Sequence, residues 1–300
     1  MTAELKEITA SHESHAALRP GSRIYFQDDP TELAKRIWLS AGTCRADDPA
    51  MGYAEGAYIP GRPWRRASAA EFRLMDIGGS PQTYQWRSST DIVVIRIPDD
   101  LISPFIDVLE QRGLREAADP KTYQTIATHP RWSANLAAMG EYLGRLCDER
   151  LNWIYFRIAE PDRVTLTKDE FGRDGRKLAG LHVDSWDGLP LRHRGRSRNR
   201  VCINLGRQPR YSLFINLPLM DMFHCIGLRD PEDIYEDFRG LLTGQRFMRR
   251  WPDYPATRLQ INPGEAYILP TDNLVHDAST EGNLYPDITL TYLGLFVPAK

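Results

Sequence analysis

Apolar residues change their period about halfway along the chain. From residue 150 onward they come in short runs that alternate with polar positions: WIYFRIAE, VTLTKDEF, LAGLHVDSW, RVCINLG, YSLFINLPL, TRLQIN, EAYILP, LVHDAS and ITLTYLGLFV, each bounded by Gly, Pro, Asn or Asp. A period of two between turn-forming residues predicts β-strands. Many short strands at even spacing predict a barrel or jelly roll. The run DPEDIYEDFRGLLTGQRFMRRW (230–251) breaks this rhythm, and its early proline and helical spacing predict a helical insertion.

The first half follows other rules. DPTELAKRIWLSAG, from Asp29, has an Asp-Pro start, apolar residues at helical spacing and a closing Gly, which together predict a capped helix. Residues 103–117 and 131–150 predict two more, the second with Leu136, Met139, Leu143 and Leu146 on one face. DIVVIRI (91–97) reads as a strand, 42–90 as irregular with short strands, and 1–22 as a loose polar lead-in. The expectation is a mainly β protein with α support. It is a single domain over 1–300, with 1–150 as helical and irregular support and 151–300 as the β core.

Composition narrows the class of function. At 300 residues and 42% apolar content the chain can bury a sizeable core. A net charge of −2 and a pI near 6.4 give no global basic surplus, so nucleic acid is not the expected partner. The start, MTAELKEITASHESH, lacks a basic segment followed by an apolar run, and no apolar stretch reaches membrane-spanning length, so the expectation is cytoplasmic. Cys44, Cys147, Cys202 and Cys225 lack the CxxC spacing of a zinc site and read as reduced thiols. Arginine outnumbers lysine, a hint of a GC-rich bacterial source.

Chemistry enters with LAGLHVDSW. In an extended segment successive side chains alternate, so His182 and Asp184 project to the same side. His276, on the later run LVHDAS, supplies a second imidazole. Two histidines and one carboxylate on one face of an octahedral iron leave three positions open, as activation of oxygen beside a second ligand requires. Lone histidines are more often hydrogen-bonded core residues; it is the joint placement that points to metal. His12, His15, His129, His193 and His224 lack that context.

With these residues the sequence resembles the iron(II)/2-oxoglutarate-dependent dioxygenases, whose ligands are an HxD pair and a distal histidine. The match lies in His182-Val183-Asp184 and in NPGEAYILPTDNLVHDAS (262–279), and the resemblance covers roughly 150–300. It implies a double-stranded β-helix, a cupin-like jelly roll. It also implies iron(II) on His182, Asp184 and His276, with 2-oxoglutarate and dioxygen as co-substrates. In halogenating relatives a small residue opens a chloride site; Asp184 fills it, which leaves hydroxylation, desaturation or cyclisation.

One expected feature is missing. Most relatives place an Arg or Lys ten to fifteen residues after the distal histidine to pair with the co-substrate carboxylate. After His276 the only cation is Lys300, and the strand there offers only the hydroxyls of Thr289 and Thr291. Some relatives carry the cation on the strand after HxD, and in RNRVCINLG the residues Arg198, Arg200, Cys202 and Asn204 share one parity. Arg200 is the chosen anchor, with Arg198 and Arg210 as rivals and Asn204 beside it. LRHRGRSRNR (191–200) also reads as a solvated basic loop.

Trp186, Arg210, Tyr267 and Trp86 are candidates for the substrate pocket. The expected substrate is a small polar metabolite, such as an amino-acid derivative or natural-product intermediate in bacterial specialised metabolism. Two rivals stay open: an iron oxidase that needs no 2-oxoglutarate, and a non-catalytic binding protein on the same barrel.

Overall fold

The computed structural model describes residues 18–297 apart from 27–29, 47–50, 77–85, 118, 120–124, 127, 150, 169–176 and 231–238. Thirteen strands are described: β1 (Ile24–Phe26), β2 (Ile37–Leu39), β3 (Thr43–Arg45), β4 (Tyr58–Pro60), β5 (Arg65–Arg66), β6 (Ile92–Arg96), β7 (Asn152–Ala159), β8 (Asn199–Asn204), β9 (Arg210–Pro218), β10 (Thr257–Ile261), β11 (Glu265–Leu269), β12 (Leu274–Ser279) and β13 (Asp287–Gly294). The major sheet has the order β1-β6-β11-β8-β13-β7, and the minor sheet β12-β9-β10-β2-β5. A separate hairpin pairs β3 with β4.

Between β7 and β13 the chain passes back and forth between the sheets. β7, β8, β11 and β13 enter the major one; β9, β10 and β12 enter the minor one, with an isolated bridge from His182 to His276 beside β12. This alternation of antiparallel neighbours is a jelly roll.

Strand alternation places two cores on opposite faces of the major sheet. Ile92 and Val94 of β6, Cys202 of β8, and Tyr267 and Leu269 of β11 face the minor sheet. Val93, Ile95, Val201, Ile203, Ala266, Ile268, Ile288 and Leu290 face the other way, against the helices Asp99–Gln111 and Pro130–Gly144. There Trp132 meets Phe105 and Phe156 edge-on, at ring separations of 4.9 and 4.7 Å. Burying a ring of this size contributes about 3 kcal/mol. The inward positions of β7, β8 and β13 are therefore free to be polar: Tyr155, Arg157, Arg200, Thr289 and Thr291.

Several expectations change. DPTELAKRIWLSAG forms a 3-10 turn over Pro30–Arg36 and then β2, because Ile37–Leu39 pair with β10; Asp29 lies outside the described residues. The first half is more than a support, since it gives β1 and β6 to the major sheet and β2 and β5 to the minor. VTLTKDEF is no strand over its described part, which makes one bridge from Lys168 to Leu178. YSLFINLPL ends at Pro218, where an unexpected helix, Leu219–Cys225, begins. Of the insertion at 230–251 a helix spans Thr243–Arg250, and 231–238 lie outside the described residues. No helix among the described residues is long and apolar enough to cross a membrane.

Candidate metal centre

LAGLHVDSW, which alternates like a strand in the sequence, is extended backbone held at single points. Leu181 N–H donates to Tyr58 O (2.7 Å), His182 and His276 exchange backbone bonds of 3.0 and 2.7 Å, and Asp184 N–H donates to Thr271 O (3.0 Å). Gly180 starts it at φ +70°, where a Cβ would lie 2.4 Å from Tyr58 O; only glycine satisfies both the angle and the approach. Extended backbone still alternates, so His182 and Asp184 share a side.

The donor atoms of His182, Asp184 and His276 lie within 4.8 Å of one another. Each His Nε2 stands 3.5 Å from an Asp184 oxygen, Oδ1 for His182 and Oδ2 for His276. Both Nδ1 atoms face carbonyls, His182 at 2.8 Å from Gly180 O and His276 at 3.1 Å from Leu274 O. That assigns the protons to Nδ1 and leaves a lone pair on each Nε2. Two neutral imidazoles and a carboxylate in this arrangement suit a divalent transition metal.

The electrostatics favour the ligand-competent forms of Asp184 and His276. Burial tends to raise the Asp184 pKa, but Arg200 and the two histidines outweigh it and hold the carboxyl well below its usual range. Burial, with Arg200 and His182 adding to it, lowers His276 against the pull of Asp184. His182 moves the other way: burial lowers it, yet Asp184, Asp277 and the Gly180 carbonyl raise it overall.

A supporting set fixes the loop that carries Asp184. Arg194, fully buried, donates to Asp184 O (2.8 Å) and Arg239 O (2.9 Å) and lies 3.3 Å from Asp272. Asp272 in turn accepts the N–H groups of Trp186 and Asp187, at 3.1 and 3.2 Å. Asp277 Oδ1 accepts from Leu166 N, Thr167 N and Thr167 Oγ1, while Oδ2 is buried with no hydrogen-bond partner among the described residues, 3.8 Å from His182 Nδ1.

Next to the triad is a cavity of about 20 Å³, bordered by Tyr155, Arg157, Arg200, Arg210, Tyr267, Asp277, Asp287, Thr289 and Thr291. Arg200 reaches out of it to Asp184 Oδ2 (3.1 Å) and His276 Nε2 (3.2 Å). Arg210 is ion-paired to Asp287 (3.1 Å) and touches Cys202 Sγ (2.6 Å) and Tyr267 Oη (3.4 Å). Trp186 donates its indole N–H to Asp184 Oδ2 (2.9 Å) and is 43% exposed, so it stands on the solvent side of that carboxylate. A larger opening of about 490 Å³, bordered by Arg45, Tyr58, Arg246 and Arg249, does not include the triad.

Three candidates lie elsewhere. Trp86 bonds Phe296 O (3.2 Å) and packs on the helix side of the major sheet, where a large apolar ring finds its burial. Asn204 closes the β8–β9 turn, donating to Gln208 O and Ile261 O and accepting from Gly206 N. Arg198 is held by Asp187 at 2.6 and 2.9 Å and braces the loop after Asp184. The residues that sequence reasoning missed are Tyr155, Arg157, Arg194, Asp272 and Asp277. The alternation that picks out Arg200 picks out Tyr155 and Arg157 too, along WIYFRIAE; Arg194 and Asp272 carry no such signal.

Fold and site together define a jelly-roll protein with a two-histidine, one-carboxylate donor set. No family model and no curated protein matches the sequence. Among solved structures, similarity is found to the Kdo hydroxylase KdoO, a non-haem Fe(II) α-ketoglutarate-dependent dioxygenase, in complex with cobalt(II). It has 14% identity and TM-score 0.40, covering 69% of this chain and 81% of that one. Similarity is also found to the α-ketoglutarate-dependent carbocyclase SnoK from nogalamycin biosynthesis (13%, 0.35, 73% and 88%). A third is the iron and α-ketoglutarate-dependent endoperoxidase NvfI (12%, 0.33, 88% and 97%).

Proposed function

We propose that the protein is an iron(II), 2-oxoglutarate-dependent oxygenase of the cytoplasm that hydroxylates, desaturates or cyclises a small polar metabolite in bacterial specialised metabolism. The observation that carries this reading is the convergence of the His182, Asp184 and His276 donors beside an arginine-lined cavity. His182 and His276 would give Nε2, and Asp184 one oxygen, to the metal. When bound, iron(II) supplies the activation of dioxygen that an organic side chain cannot provide.

The chain's own residues do the rest. Gly180 O and Leu274 O hold the imidazole protons at Nδ1. Trp186 N–H pins Asp184 Oδ2, so Oδ1 is the oxygen that would be left for a metal. Arg200, with Tyr155, Thr289 and Thr291, forms the anion-receiving wall for a dicarboxylate; a guanidinium takes a carboxylate through two parallel bonds. Trp186 gives the substrate an aromatic surface at the entrance.

Incubation with iron(II), 2-oxoglutarate and oxygen, with succinate measured, tests the assignment. The parent protein is expected to form succinate and His182→Ala at least a hundredfold less, and equal turnover in both would refute it. One observation favours a second reading, an iron oxidase independent of 2-oxoglutarate: no cation is found on β13, the strand after His276. Oxygen uptake with substrate in the absence of 2-oxoglutarate separates the two.

A further inference from the structure

Arg200 lies across the metal-facing side of the donor set. Its side chain leaves β8 on the inward face, with one guanidinium nitrogen 3.2 Å from His276 Nε2 and another 3.1 Å from Asp184 Oδ2 and 3.3 Å from Tyr155 Oη. Its Nε is buried and has no acceptor among the described residues. Because His276 Nδ1 faces Leu274 O, the lone pair of the ring is at Nε2. An imidazole nitrogen has one lone pair, in the ring plane, and arginine, which is always a donor, engages it. A metal ion needs the same lone pair. Two cations at that distance also repel.

We propose that Arg200 is a two-position residue that couples metal binding to anion binding. In the first position its guanidinium stands in for the metal, holding Asp184 and His276 at their spacing. In the second, taken when a divalent metal claims Nε2, it turns back into the adjoining cavity, where the carboxylate of a dicarboxylate ligand meets it and satisfies the unpartnered Nε. The inference rests on the metal-dependent reading of the site. One further observation supports the movement. Tyr155, already in contact, lies on β7 beside that cavity and gives the guanidinium a partner on the way.

Linkage makes the consequence reciprocal: an anion that draws Arg200 away tightens metal binding by the same factor as the metal tightens anion binding. Anaerobic titration with Co(II), followed by calorimetry and visible absorption, reads this directly. The probe anion is succinate, whose lack of a keto group removes the usual chelation. Succinate is expected to tighten Co(II) binding to the parent protein by roughly fivefold or more. Arg200→Met is expected to bind Co(II) about tenfold more tightly than the parent and to be indifferent to succinate. A folded Arg200→Met protein that binds Co(II) at the parent affinity or weaker overturns the proposal. So does succinate that shifts parent and variant equally. If the variant does not fold, the parent alone decides, because no tightening by succinate overturns it too. A parent protein that binds no more Co(II) than His182→Ala refutes instead the metal reading beneath.

Discussion

Asp184 shows how much one side chain depends on its neighbours. Oδ2 receives Trp186 Nε1–H and Arg200, whereas Oδ1 faces His182, so the two oxygens are chemically distinct before any ligand arrives. A different local rule governs Glu71, which closes the capping box of the Ala69–Met75 helix with Ser68 and takes a two-pronged contact from Arg65 at 2.6 and 2.8 Å. Those bonds hold its pKa down at about 2, with Arg65 as the largest cause. A carboxyl depressed on folding adds stability above its unfolded pKa, near 4.5, and loses it as pH falls toward 2. Arg65 is 45% exposed, so solvent screening limits the pair. Glu71→Gln, which keeps the capping-box acceptor and removes only the charge, is expected to lower stability by about 0.5 kcal/mol at pH 7 and by less at pH 3. Urea unfolding at the two pH values checks this; an equal loss at both would show that the charge does not matter.

Among elements, β9 and β13 are tied across the sandwich by Arg210 and Asp287, which are 6% and 3% exposed. Burial raises the Asp287 pKa, against Arg210 and Arg157. Arg210→Met strands that carboxylate and is expected to cost about 3 kcal/mol or more, whereas Arg210→Met with Asp287→Asn should lose less than the single change. Denaturation midpoints of parent, single and double variants decide, and additive losses would exclude the tie. Elements whose side chains alternate against a core were legible in the sequence: DIVVIRI and most of the later strands. So was the placement of His182 and Asp184 on one side, since alternation belongs to extended backbone whether or not it joins a sheet. What stayed hidden was set by partners distant in sequence. Ile37–Leu39 follow a helical pattern yet pair with β10. In LPLMDMFHC an apolar run reads equally as strand and helix. Trp86 and Asn204 look like pocket residues until the sheet faces are known.

For the molecule as a whole, the first half is integral because β6 lies between β1 and β11, inside the major sheet. A fragment of residues 151–297 would expose the β11 edge and the face that Trp132 and Phe105 cover. It is expected to show no near-ultraviolet signal and a broad, non-cooperative urea transition. A sharp transition would mean that the jelly roll folds alone. One consequence of the sheet order belongs to this scale. His182 and His276 ride on the minor sheet, while Arg200, Tyr155, Arg157, Thr289 and Thr291 ride on the major one. The candidate site is therefore a two-part mould, with the His182 and His276 donors in one half and most of the cavity's polar wall in the other. Any small parting or sliding of the halves misaligns the two before it distorts either.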